Sequence, residues 1–337
     1  MMVRRQHITL AHGNGGRFMR ELINDVFVRR LANPSLDVRL DAASVRLDAE
    51  FETLVTTDGF VVQPLEFPGG SIGTLAINGT VNDLAVSGAT PRYITLGSVI
   101  EEGLEIATLE RIVADLARAA EQANVEVVAG DTKVVPRGMG GGLYLSCTGV
   151  GQRSRDCRLS LSSICEDDSI LVSGPVGDHA ISVLLARDEF DLSGSVLSDC
   201  AAVLPLTLPL SRNPLVHFMR DPTRGGLATV AHDIADATAM DVLLDETAIP
   251  VTDAVRTVCE MLGYDPFHLA CEGRVVAVVA ADAADEILGL WRSVPGGRQS
   301  SRIGRLKRGR GQVILRTEIG GNRILEELED DPLPRIC

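Results

Sequence analysis

The strongest constraint on the fold is an irregular alternation of two hydrophobic periods. β-Branched runs of strand length occupy 52–57, 92–100, 125–129 and 143–149. Helical spacing lies between them. Across 109–124, Ile112, Val113, Leu116, Ala119 and Ala120 share one face of a 3.6-residue helix. The segment 19–31 repeats this with Leu22, Ile23, Val26 and Phe27, and a further helix is predicted over 72–86. In the second half, strands are predicted at 169–173, 241–244, 274–280, 301–306 and 312–316, with helices at 180–187 and 226–237. The last two strands are expected to pair as a hairpin across Arg308–Gly311. A strict β-α-β repeat would specify a doubly wound parallel sheet. This order lacks one, so the predicted class is α+β.

A chain of 337 residues holds about two domains at roughly 100–200 residues each. The polar stretch from Gln152 to Asp168 supplies the joint. The expected division is an N-terminal domain over 1–152 and a C-terminal domain over 153–319. Residues 320–337 carry two prolines and few apolar residues, and read as a flexible, extended tail without a core element.

The balance of 32 Lys+Arg against 46 Asp+Glu gives a net charge of −14. Such a chain is a poor non-specific partner for nucleic acid, which needs cations against phosphate. An anionic ligand needs local cations or metal ions here. Lysine occurs only at Lys133 and Lys307. No run approaches the roughly 18–20 apolar residues of a membrane span, and the N-terminus has no apolar leader core. The seven cysteines are scattered with no C-x-x-C pair. That is neither a zinc spacing nor a disulfide framework, and the expectation is a cytoplasmic protein with reduced thiols.

Three familiar patterns fail. Gly69-Gly70-Ser71-Ile72-Gly73 fits G-x-S-x-G, but Pro68 denies it the preceding strand that a nucleophile elbow needs. The Gly13–Gly16 run is half a dinucleotide fingerprint, with Phe18 at the sixth position. No Gly-Lys pair exists, so there is no Walker A loop. What remains is a series of aspartates beside glycines or at strand ends: Asp41, Asp58, Asp83, Asp131 and Asp221. One such aspartate is more often a turn residue than a ligand. Five in similar settings point to hard cations, which take oxygen ligands, and Mg²⁺ commonly arrives with a polyphosphate. Two glycine loops, 67–73 and 221–226, each precede a predicted helix whose free N–H groups suit an anion. Arg224 adds a cation to the second.

Taken in order, the motifs are His12-Gly13-Asn14-Gly15-Gly16, Phe67-Pro68-Gly69-Gly70, Gly79-Thr80-Val81-Asn82-Asp83-Leu84-Ala85, Gly130-Asp131-Thr132-Lys133, Asp221-Pro222-Thr223-Arg224-Gly225-Gly226, Cys271-Glu272-Gly273 and the ending Pro334-Arg335-Ile336-Cys337. Over essentially the whole length this resembles the HypE family, carbamoyl dehydratases of [NiFe]-hydrogenase maturation within the PurM-like, AIR synthetase-related ATP-binding superfamily. The Asp-rich and Gly-rich motifs are common to that superfamily. The terminal Pro-Arg-Ile-Cys separates HypE from its relatives.

The resemblance implies a two-domain PurM-like fold and a homodimer formed by pairing of the N-terminal sheets. It implies ATP and Mg²⁺ as cofactors, with Asp41, Asp58, Asp83, Asp131 and Asp221 as metal and phosphate ligands. Asn82, Thr132, Arg224, Gly225 and Gly226 become further nucleotide contacts. It implies that HypF places a carbamoyl group on Cys337, that the group is dehydrated to a thiocyanate, and that the cyano group passes to iron on a HypC–HypD complex. Glu272 and Lys133 are the candidate bases, and Lys133 is equally a candidate phosphate ligand. The alternatives are another ATP-dependent enzyme of the superfamily, such as a small-molecule kinase or amidine-forming synthetase, or a non-catalytic nucleotide-binding scaffold.

Overall fold

The computed structural model describes residues 6–14, 16–38, 40, 42–187, 194 and 196–328. The first half builds a four-stranded mixed sheet. Strand β1 (Glu52–Phe60) precedes helix α1 (Ile72–Val86), β2 (Thr90–Glu101), α2 (Ile106–Ala123), β3 (Glu126–Val135) and β4 (Leu143–Arg153). The sheet order is β1-β4-β2-β3; only the β2–β3 pair is parallel. The predicted strands are present, each extended by a few residues. Residues 17–31 are helical as expected, with a π-helical stretch over Ile23–Val28.

Helix α2 shows why the 3.6 period was readable. Leu109, Ile112, Val113, Leu116, Ala119 and Ala120 are all buried on one face. It stops at Asn124, whose left-handed φ of 54° ends the hydrogen-bond ladder. Helix α1 behaves differently, being buried almost all round. It packs on α2 and on β1 and β4, while its other side meets the second half of the chain. The fit against α2 needs Gly73, since a Cβ there would lie 2.3 Å from the Ile112 carbonyl oxygen.

The second half adds β5 (Ser169–Val172), α3 (Asp178–Ala186), β6 (Val216–Arg220), α4 (Gly226–Thr238), β7 (Met240–Asp245), α5 (Asp253–Leu262), β8 (Val276–Val279), α6 (Ala284–Arg292), β9 (Ser301–Arg308), β10 (Val313–Arg316) and β11 (Asn322–Ile324). They form a seven-stranded sheet in the order β11-β10-β7-β9-β5-β8-β6. One face is covered by α4, through Leu227, Val230 and Ile234. The other is covered by α6, through Ile287 and Trp291. Helices α3 and α5 instead join the core of the N-terminal half, through Ile181, Leu184 and Val255.

Two expectations are corrected. The final strands are not a hairpin: β9 and β10 both pair with β7, which lies between them. The Asp241 carboxylate on β7 accepts the backbone N–H groups of Arg310 and Gln312, at 2.7 and 3.0 Å. The connection therefore wraps around β7 rather than turning back on itself. The tail also starts later than Gly320. Strand β11 pairs with β10, and Leu325 is fully buried in the core beneath α4.

Replacing Gly73 tests the α1–α2 contact. Gly73→Ala must force the helices apart and is predicted to cost about 1–3 kcal/mol of stability, read as a lowered denaturant midpoint.

Candidate active site

Sheet and helix ends from both halves meet at a cavity of about 230 Å³. β1 brings Asp58, α1 brings Asp83, the loop after β6 brings Asp221 and Arg224, and the loop before β8 brings Glu272. Thr57, Phe60, Gly79, Arg220 and Thr223 complete the wall. Gly79 keeps it open: a Cβ there would sit 2.8 Å from the Phe60 ring and 4.0 Å from Glu272 Oε2.

The carboxylates are held individually. Asp58 Oδ1 accepts the Gly59 N–H at 2.7 Å, and Asp83 Oδ2 accepts the Thr56 hydroxyl at 2.7 Å. Burial raises the Asp83 pKa against that hydrogen bond. Asp221 is buried, and its Oδ2 has no hydrogen-bond partner. Burial, and then the charge of Asp83, push the Asp221 carboxyl up to about 7. Glu272 is 3% exposed, and burial followed by the charge of Asp221 pushes it well above the usual carboxylate range.

An orphaned buried oxygen among like charges fits a divalent cation. Among the described residues, no three of these carboxylates bring their oxygens within 4.8 Å of one another. That spacing suits Mg²⁺, which typically uses one or two carboxylates and completes its shell with phosphate and water.

Other predicted residues lie elsewhere. Asn82 is 1% exposed and points away from the cavity: its Nδ2 donates to the Ala201 and Glu272 carbonyls at 3.0 and 3.1 Å, and its Oδ1 accepts the Val203 N–H at 2.9 Å. Its amide is committed to holding the two halves together, which corrects its assignment as a nucleotide contact. Asp131, Thr132 and Lys133 do not line the acidic cavity. Asp131 and Lys133 are exposed and ion-paired at 3.0 Å, while Thr132 Oγ1 meets Ser98 Oγ at 3.1 Å. Asp131 and Thr132 border a second cavity of about 420 Å³, lined by Met19, Phe27, Leu31 and Val127.

Of the two glycine loops, only 221–226 reaches the acidic cavity. In the other, the Pro68 carbonyl accepts Ser182 Oγ and the Ser198 N–H, each at 2.8 Å, and Ser71 N–H is used by Thr74 Oγ1. That loop is a packing element. Gly225 and Gly226 both take positive φ, at 72° and 61°, and Gly226 backs onto the carbonyls of Phe267 and Leu269. Asp41 and Cys337 lie outside the described residues.

Sequence reasoning missed the support behind Glu272. Asp199 Oδ1 accepts the Glu272 N–H at 3.1 Å. Arg274 lies 3.3 Å from Asp199 and 3.4 Å from Asp178. Asp199 has no glycine neighbour and ends no strand, so nothing in its local sequence marks it.

The raised Asp221 pKa gives a pH prediction. The carboxyl moves from an ordinary 3.8 to about 7 on folding, so the folded state holds the extra proton between those values. Its contribution to metal-free stability should fall as pH rises from about 4 to about 7. Mg²⁺ needs the ionised form, so it should raise the melting temperature above about pH 7 and do little below about pH 5. Thermal melts should show both effects weakened in Asp221→Asn relative to the wild type, the remainder coming from Asp83 and Glu272.

Residues 39–152 match the family described as AIR synthase related protein, N-terminal domain, and residues 166–316 match the corresponding C-terminal domain. Carbamoyl dehydratase HypE of Escherichia coli is 42% identical over 337 residues, covering 98% of this chain and 99% of that protein. The Cupriavidus necator HypE is 41% identical over 332 residues, covering 98% and 95%. A crystal structure of HypE in complex with ATP superposes with a TM-score of 0.92 at 41% identity, covering 97% of this chain and 99% of that one. A HypE–HypF complex gives 0.80 at 35% identity, covering 93% and 100%. The chain thus belongs to the AIR synthase-related family and, within it, to the HypE carbamoyl dehydratases of hydrogenase maturation.

Proposed function

We propose that the chain uses ATP to dehydrate a carbamoyl group carried on the Cys337 sulfur, turning a thiocarboxamide into a thiocyanate. The carrying observation is the meeting of Asp58, Asp83 and Asp221 beside Glu272, around an oxygen with no partner. The cavity of about 230 Å³ is below the roughly 300–1,000 Å³ of whole-ligand pockets. It matches the phosphate end of a nucleotide, with the thiocarboxamide beside it.

A carboxamide oxygen leaves poorly. Its attack on the γ-phosphorus forms a C–O–P bond and releases ADP. Loss of both N–H protons and departure of phosphate then leave a carbon–nitrogen triple bond. Mg²⁺, where bound, would neutralise phosphate charge, with one or two of Asp58, Asp83 and Asp221 holding each ion. Arg224 faces the same charge from the cavity wall. Glu272 is the better base candidate: its raised proton affinity suits it to accept the amide proton. Lys133 is exposed and already ion-paired with Asp131, away from this cavity. It and Asp131 stay as proposed nucleotide contacts outside it.

HypF is the proposed carbamoyl donor, and a HypC–HypD complex the proposed acceptor of the cyano group. Dimerisation is proposed through β1, an edge strand with Val55 65% exposed. Edge strands carry unpaired backbone groups that seek partners.

Asp83→Asn should lower ATP turnover at least about tenfold while leaving the fold intact, measured as phosphate release from carbamoylated protein. Intact-mass analysis after incubation with HypF, carbamoyl phosphate and ATP reads the chain itself. The wild type should gain one carbamoyl group and then lose one water. Glu272→Gln should stop at the carbamoyl stage with ATP affinity retained, and Cys337→Ser should gain neither. A free small-molecule product with an unmodified chain would favour the kinase or synthetase alternative.

A further inference from the structure

Away from the acidic cavity, Cys165, Asp168 and His217 each bring one donor atom within 4.8 Å of the other two. They come from different elements. Cys165 and Asp168 stand in the short loop before β5, and His217 stands on β6, an edge strand of the seven-stranded sheet. We propose that Cys165, Asp168 and His217 form a binding site for a zinc-like transition-metal ion.

The loop is fixed before any ion arrives. Asp167 N–H donates to the Leu306 carbonyl, Leu306 N–H donates to the Asp168 carbonyl, and Ser160 N–H donates to the His217 carbonyl, at 2.9–3.0 Å. Asp168 is buried. Its Oδ2 accepts the Cys165 N–H at 2.7 Å and faces His217 Nδ1 at 2.6 Å. An ion bound between His217 Nδ1 and Asp168 Oδ2 takes the place of the proton they share, which the neutral ring then carries on Nε2, so that both atoms face the ion directly. Cys165 is exposed, so its thiol can turn toward the ring and water can fill a remaining position.

The donor set selects the ion. Thiolate, imidazole and carboxylate are zinc ligands, whereas Mg²⁺ and Ca²⁺ take oxygen. Tetrahedral zinc with bonds of about 2.0–2.3 Å sets its donors roughly 3.3–3.8 Å apart. The three donor atoms already lie within 4.8 Å of one another, so turning the exposed cysteine side chain inward and a slight parting of His217 Nδ1 from Asp168 Oδ2, 2.6 Å apart, close the site. Binding displaces the Cys165 thiol proton to solvent. The bound ion ties the loop between the halves to β6, the strand that ends at Arg220 beside Asp221. Sequence spacing gave no zinc pattern because His217 is far from the other two ligands along the chain.

The test uses full-length, metal-stripped protein with Mg²⁺ in excess, so that the all-oxygen cavity is occupied. Cobalt(II) titration should give one equivalent with tetrahedral visible bands and a thiolate-to-cobalt charge-transfer absorption, both abolished by zinc. Cys165→Ser should lose the charge-transfer absorption and weaken zinc at least about tenfold, while Cys337→Ser keeps both. Cys165 is exposed, so that variant folds, and the readout is independent of ATP turnover and of the carrier reading. No charge-transfer absorption in the wild type, or its survival in Cys165→Ser, overturns the proposal.

Discussion

The site depends on α1 being held between the two halves of the chain. Its Asn82 amide makes three hydrogen bonds at 2.9–3.1 Å, to the carbonyls of Ala201 and Glu272 and to the N–H of Val203. One turn of the same helix thus carries Asp83 into the cavity and fixes the backbone of Glu272 across from it. A buried amide with a lost partner costs about 1–3 kcal/mol, so the geometry of the carboxylates is set by a neutral residue that does not face them. Gly73 and Gly79 serve the same helix, one allowing the approach of α2 and the other leaving the cavity open.

Burial and like charge then do the electrostatic work. Asp58, Asp83, Asp221 and Glu272 line one cavity, where burial first and neighbouring carboxylates second raise the proton affinity of Asp83, Asp221 and Glu272. Such a group is unfavourable when fully ionised and empty. A cation with phosphate relieves it, which makes ligand binding and ionisation one coupled event. Arg274 is placed behind this cluster between Asp178 and Asp199, close enough to support the Glu272 backbone through Asp199 without filling the cavity.

The legibility of the chain follows the range of the forces involved. Local periodicity revealed α2 to within a few residues and the four N-terminal strands in order, because one-sided burial imposes it, whereas α1, buried almost all round, was marked by the glycine loop that opens it. Asp58, Asp83, Asp221, Arg224 and Glu272 were legible as residue types in strand-end and glycine contexts. The β9–β10 connection was not. Its course is decided by Asp241, a side chain on a third strand distant in sequence. Asn82 was legible as a motif residue but not in its role, since a buried amide beside an aspartate reads alike whether it meets ligand or backbone. Asp199 left no local mark because its partners, Glu272 and Arg274, are contributed by a loop remote in the chain.

The tail illustrates how tertiary contacts reset a sequence estimate. Counted from Gly320, the chain end reaches at most roughly 56–61 Å at about 3.3–3.6 Å per residue. Leu325, however, is buried, and its N–H donates to the Val313 carbonyl at 2.9 Å. His232 Nε2 donates to the Leu325 carbonyl at 2.9 Å, and His268 Nε2 to that of Glu326 at 3.0 Å. The root of the proposed carrier is therefore Glu326, and residues 327–337 span at most about 36–40 Å. His268 belongs to the same loop that runs on to Cys271 and Glu272, so the carrier is tethered to the segment that presents the candidate base. A shorter tether raises the effective concentration of its end near the root, as long as it still spans the gap. Fixing the root beside that loop therefore favours return of the carried group to the cavity, at the expense of the radius over which a donor or acceptor protein can meet it.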